Sequence, residues 1–297
     1  MTSPTTRDVT PASPAPLPQL VGVCGSGIMG SGLAEVVARA GINVVVRSRT
    51  MAGAQSMLGA VENNLAKQVA KAKMTEEQRA EILSHISITD QISALANCDL
   101  VIESIVEELA PKQELFAQLD KIVKPSAILA TNTSTLPVVA MAQATNRPDK
   151  VCGIHFFNPA VMMSLVEVIR PITASDDTIS VATAFAVACA KDPVQVVDRA
   201  GFIVNALLFP YLNNAVHMLE AKTASMEDID TAMKGGCNFP MGPFALLDLI
   251  GIDTTVSILN ALRSEFQQSH LEPADSLKKL LAEGKLGRKT KQGFFTY

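Results

Sequence analysis

Residues 20–50, LVGVCGSGIMGSGLAEVVARAGINVVVRSRT, read as strand, tight turn, helix and strand. Residues 20–24 are a short apolar run, residues 29–40 keep apolar side chains at helical spacing until Gly41 stops them, and residues 43–46 form a second buried run rich in valine. Between the first strand and the helix stands Gly25-Ser26-Gly27-Ile28-Met29-Gly30, a G-x-G-x-x-G loop. Gly25 permits the tight turn, Gly27 lets a pyrophosphate lie against the backbone, and Gly30 lets the helix pack closely on the strand. Ile28 and Met29 open the helix, whose first N–H groups then face the phosphates. Between a strand and a helix, such a loop predicts a dinucleotide site; a purely structural glycine turn is the competing reading.

The end of the second strand departs from the usual NAD pattern, in which an Asp or Glu holds the ribose 2′-hydroxyl. Here the chain has Arg47-Ser48-Arg49. A carboxylate would repel a 2′-phosphate, whereas a guanidinium grips it with two parallel charge-assisted hydrogen bonds and a serine hydroxyl adds a third. The cofactor is therefore read as NADP(H), with a solvated basic turn beside an NAD(H) site as the alternative.

Further along, short apolar strands at residues 86–89, 100–104, 127–131 and 151–154 alternate with helical segments, the signature of an α/β fold with a doubly wound parallel sheet. Ligands of such sheets lie at the carboxyl ends of the strands. The later strands are followed there by Glu103 and Glu107, by Asn132-Thr133-Ser134-Thr135, and by His155-Phe156-Phe157-Asn158-Pro159. Residues 165–169, LVEVI, are a further strand whose single carboxylate, Glu167, stands among aliphatic neighbours. Unpaired and buried it would be too costly to leave ionised, and a histidine partner would resolve that.

Past residue 200 strands stop and helices begin, so the chain divides into a tail at 1–18, a dinucleotide-binding Rossmann domain at 19–200 and an all-helical domain at 201–297. The tail is rich in Pro, Ser and Thr and reads as disordered. The helix over residues 202–221 is apolar on most faces, its exceptions being Asn205, Asn213, Asn214 and His217. Such a helix is covered by something else, and the same helix of a second subunit would give a homodimer.

With 297 residues, 48% of them hydrophobic, the chain can bury a large core in each of two domains. A net charge of −4 argues against a nucleic-acid partner. No apolar run approaches the roughly 20 residues that cross a bilayer, so no membrane partner is expected. Five scattered cysteines without a C-x-x-C pair suggest neither a disulfide framework nor a metal site, and fit a reducing cytoplasm.

Taken together, GSGIMG, NTST at residues 132–135, HFFNP at 155–159, LVEV at 165–168, GFIVN at 201–205 and PMGPF at 240–244 resemble the 3-hydroxyacyl-CoA dehydrogenase family in order and spacing. The resemblance runs from residue 20 to residue 297, and the length is similar to that of monofunctional short-chain members acting on 3-hydroxybutyryl-CoA. It implies that His155 is the general acid/base, Glu167 its orienting partner, and Ser134 and Asn205 the groups that hold the substrate oxygen. Asn158 falls in the same pocket motif, Glu107, Lys112 and Asn132 fall on the cofactor side, and Lys67 and Lys71 would meet a phosphate of coenzyme A. The implied reaction is reduction of acetoacetyl-CoA to (S)-3-hydroxybutyryl-CoA and its reversal. The basic Arg47-Ser48-Arg49 departs from the family pattern, where an acidic residue is usual, and favours NADPH and reduction. The competing readings are an NAD-linked medium- or long-chain L-3-hydroxyacyl-CoA dehydrogenase of fatty-acid oxidation and, outside enzymes, a structural or redox-sensing cofactor-binding protein.

Overall fold

The computed structural model describes residues 16–297. The expectation of a disordered tail at 1–18 therefore lies almost wholly outside the described residues. The described chain separates into two compact units, one reaching to residue 133 and including 137–198, the other made of residues 134–136 with 199–297.

The first unit is built on eight strands: β1 (Leu20–Cys24), β2 (Asn43–Arg47), β3 (Ile86–Thr89), β4 (Leu100–Glu103), β5 (Ile128–Thr131), β6 (Val151–Phe156), β7 (Leu165–Arg170) and β8 (Asp192–Val197). Their order is β3-β2-β1-β4-β5-β6-β7-β8. Crossover helices α1 (Ile28–Arg39), α2 (Met51–Ala70), α3 (Glu76–Ser84), α4 (Leu109–Ile122), α5 (Val138–Ala142) and α6 (Asp176–Ala188) cover the sheet. The core strands β1, β4, β5 and β6 are buried along almost their whole length, which is why they read as continuous apolar runs. Leu33 and Val37 of α1 and Val61 and Leu65 of α2 pack with Val23 and Val46 in one core.

The sheet is not wholly parallel. β6 and β7 are antiparallel, with β8 parallel to β7. Residues 157–164 join β6 to β7, and so short a link leaves no room for the crossover helix that a parallel partner needs. β6 also runs two residues further than the sequence suggests and includes His155 and Phe156, so His155 stands on a strand and not in a loop. α5 has its first N–H groups, those of Val138 and Val139, bonded to the Asp198 carboxylate.

The second unit holds α7 (Val204–Glu220), α8 (Met226–Cys237), α9 (Pro243–Ile250), α10 (Ile252–Phe266) and α11 (Asp275–Ala282) around Phe209, Leu212, Phe244, Leu247 and Leu259. Asn213 is fully buried in α7, where its amide donates to the His270 and Glu272 carbonyls and accepts from the Ala274 N–H. Buried Asp248 accepts from the Phe294 and Phe295 N–H groups and so pins the closing segment of the chain. No single helix among the described residues is long and apolar enough to cross a membrane.

Candidate active site

Gly25 follows β1 at φ +131°, a conformation that side chains disfavour, and a Cβ there would lie 2.1 Å from the Ser104 carbonyl oxygen. A Cβ on Gly30 would stand 2.0 Å from the Gly25 carbonyl oxygen, so α1 seats directly on the turn. Gly27 differs: a Cβ there would meet nothing within 4 Å. Since no side chain caps α1 at Gly27, the helix start keeps N–H donors that suit an anion, and the side of Gly27 facing them is open.

Around this loop, Ile28 is 76% exposed and Met29 half-buried. At the end of β2, Arg47 is half-buried and its Nε has no hydrogen-bond partner among the described residues, and Arg49 is exposed. Ser48 is buried, its hydroxyl 2.8 Å from that of Ser26 in the glycine loop. The residue at the head of the second crossover is thus tied by hydroxyls to the glycine loop, a link that no sequence pattern had marked.

At the carboxyl ends of β4 and β5 lies a buried polar cluster. Glu103 and Lys112 are 0% and 1% exposed, with Lys112 Nζ donating to Glu103 Oε1 at 2.6 Å. The same carboxylate oxygen accepts from the Ile105 N–H, and Oε2 accepts from the Thr131 hydroxyl at 2.7 Å. Lys112 also reaches Glu107 Oε2 at 3.1 Å, and Glu107 Oε1 accepts from the Thr133 hydroxyl. Lys112 therefore lies beneath the site with its ammonium engaged by two carboxylates. Asn132 accepts from the Phe156 N–H at 2.8 Å and so ties the end of β5 to β6.

His155 and Glu167 are directly opposite one another on the antiparallel β6–β7 pair. Cross-strand partners share a face and stand within side-chain reach. His155 Nδ1 is 2.8 Å from Glu167 Oε2, with the two side chains 7% and 1% exposed. The carboxylate fixes the ring through Nδ1, and out of bulk water that bond is stronger than at a surface. The Phe157 ring packs on the imidazole at 4.4 Å between centroids. Asn158 is exposed just beyond.

In the helical unit, Asn205 at the start of α7 donates from Nδ2 to the Ser134 carbonyl oxygen at 3.3 Å. Lys67 and Lys71 are exposed at the end of α2.

A family model described as 3-hydroxyacyl-CoA dehydrogenase, NAD binding domain, matches residues 20–199, and one described as its C-terminal domain matches residues 201–297. The chain belongs to the 3-hydroxyacyl-CoA dehydrogenase family. This dehydrogenase is 44% identical to 3-hydroxybutyryl-CoA dehydrogenase of Clostridioides difficile, over 93% of its own length and 98% of the relative's. It is 44% identical to the mitochondrial hydroxyacyl-coenzyme A dehydrogenase of Homo sapiens, over 93% and 90%. Among solved structures, the (S)-3-hydroxybutyryl-CoA dehydrogenase PaaH1 of Ralstonia eutropha is similar with a TM-score of 0.92 and 38% identity, covering 94% of this chain and 99% of that one. The M. tuberculosis protein FadB2 is similar with a TM-score of 0.93 and 41% identity, covering 95% and 100%. The dehydrogenase is thus an oxidoreductase with a nicotinamide-cofactor domain, the class that the glycine loop, the sheet and the helical unit imply.

The four buried cysteines Cys24, Cys98, Cys152 and Cys189 take no part in such chemistry. Burial pushes their thiols up to about 12, 11, 12 and 12, where a reactive thiolate does not form near neutrality.

Proposed function

We propose that the dehydrogenase interconverts acetoacetyl-CoA and (S)-3-hydroxybutyryl-CoA, with NADP(H) preferred over NAD(H). The observation that carries the chemistry is the buried 2.8 Å contact of His155 with Glu167 at the carboxyl edge of a cofactor sheet. A nicotinamide, when bound, supplies or takes the hydride. The chain's own residues must then move one proton to or from the C3 oxygen of the substrate. Imidazole is the side chain suited to that near neutrality. With Nδ1 turned to Glu167, the proton is exchanged at Nε2, and the carboxylate stabilises the charged ring as it forms.

Ser134 and Asn205 are proposed to hold the substrate oxygen by hydrogen bonds that strengthen as it gains charge. Asn158 is assigned to the same pocket, and exposed Lys67 and Lys71 to a phosphate of coenzyme A. Gly25, Gly27, Ile28, Met29 and Gly30 would cradle the diphosphate, with Asn132, Glu107 and Lys112 organising the nicotinamide side. Arg47, Ser48 and Arg49 would receive the 2′-phosphate. The preference for NADP(H) is supported by the absence of any carboxylate in the 47–49 segment and by the half-buried Arg47, whose Nε has no partner among the described residues.

A homodimer through the helical unit is supported by a row of exposed apolar side chains along α7, namely Ile203 at its cap, Leu207 at 71% exposure and Met218. A cytoplasmic setting is favoured by five free cysteines. Initial rates on acetoacetyl-CoA with NADPH and with NADH test the reading. Faster turnover with NADPH is expected; cofactor binding without oxidation would instead mark a structural or sensor protein.

A further inference from the structure

We infer that Glu103 is a positioning residue, the buried hub through which the glycine loop and the strand end carrying His155 are held in one fixed arrangement. The inference rests on the proposed reading of these two as parts of a single dehydrogenase site.

The Glu103 carboxylate makes three bonds, and each leads to a different part of that site. Through the Ile105 N–H it fixes the 104–106 segment. The Ser104 carbonyl in that segment is the surface on which Gly25 closes, leaving no space for a Cβ. Through Lys112 it orients Glu107, whose other oxygen takes the Thr133 hydroxyl. Through the Thr131 hydroxyl, which itself accepts from the Thr133 N–H, it sets the end of β5. There Asn132 holds the Phe156 N–H, one residue past His155.

Burial at 0% and 1% makes this arrangement rigid, because a carboxylate and an ammonium withdrawn from water must keep every partner. A buried ion pair contributes little net stability against an apolar pair of equal volume, so what this one supplies is direction. Lys112 carries no proton to a substrate here, since its ammonium is spent between two carboxylates beneath the surface.

The test uses the full chain with Glu103→Gln/Lys112→Met, a neutral pair of similar shape, beside each single variant. Binding is read by titration with NADPH and NADH in the absence of acyl-CoA, turnover on acetoacetyl-CoA with both cofactors, and folding by thermal melting. The paired variant is expected to melt close to the wild type while the affinity for the tighter cofactor falls on the order of tenfold and kcat falls on the order of 10- to 100-fold, the scale of a misplaced reacting group. Recovery of wild-type affinity and kcat in the paired variant would reduce the pair to charge compensation and overturn the inference. Should that variant fail to fold, Thr131→Val cuts one spoke without changing charge; a several-fold lower kcat in protein that remains folded at the assay temperature supports the hub, and a wild-type kcat overturns it. Because binding is read without acyl-CoA, a chain inert on acetoacetyl-CoA would contradict the proposed reaction while the affinity change still reports on Glu103.

Discussion

Glu167 and Glu103 are both carboxylates withdrawn from water at the same edge of one sheet, 1% and 0% exposed, and they differ in the partner each holds. Glu167 holds an imidazole, the side chain proposed to exchange a proton with the substrate oxygen. Glu103 holds the amino group of Lys112, which is shared with a second carboxylate, Glu107. In the proposed reading, the same burial makes the first pair a proton-handling unit and the second a rigid strut. Which residue stands opposite a buried acid therefore separates chemistry from positioning, and burial alone does not.

The largest expected effect breaks the first pair. His155→Ala should lower kcat on acetoacetyl-CoA by roughly 10²- to 10⁴-fold, the usual worth of a positioned acid/base, while NADPH affinity measured by titration is unchanged. Near-normal turnover would remove His155 from the account. Glu167→Gln keeps a hydrogen-bonding partner beside the ring but lacks the charge, so a smaller loss of roughly 10- to 100-fold is expected in steady-state rates, with no change in cofactor affinity.

At the cofactor end the contrast can be sharpened without touching either carboxylate. Arg49→Ala should cost about 1.5–3 kcal/mol of NADPH binding, the scale of a hydrogen bond to a charged group, and leave NADH binding as it was. Equal effects on both cofactors would show that the basic turn is only solvated surface.

The smallest effect concerns a third carboxylate, Asp99, which is partly exposed at 31%. Burial pushes its carboxyl up, but hydrogen bonds from Lys124 and from the Leu20 and Gln19 N–H groups outweigh that and hold it below the usual carboxylate range. A lowered folded value contributes stability that is present above the unfolded value and lost as pH falls through the folded one. Asp99→Asn should therefore melt lower than the wild type at neutral pH, and the gap should close in acid. A gap that persists unchanged at low pH would mean that packing, not charge, is at stake.

Much of this arrangement was legible because it is local. Gly25, Gly27 and Gly30 lie within one turn, and the alternation of apolar runs with helices names the sheet without knowledge of any contact. Glu167 could be singled out because a carboxylate flanked by valines has few tolerable environments. Its register against His155 was not legible, since strand direction depends on the 157–164 connection and on pairing that no local pattern records. Residues 134–136 were read with the first domain but group with the helical unit, because a short polar stretch carries no signal of which core it joins. Glu103 read as one of several polar residues near a strand end; only the folded chain reveals three partners converging on it.

The most direct measurement is the pH dependence of kcat for the wild type, Glu167→Gln and Glu103→Gln on acetoacetyl-CoA. The account predicts that the wild-type pH profile is displaced or flattened in Glu167→Gln and kept in Glu103→Gln, whose rate is lower throughout. A wild-type profile in Glu167→Gln, or a displaced one in Glu103→Gln alone, would contradict it.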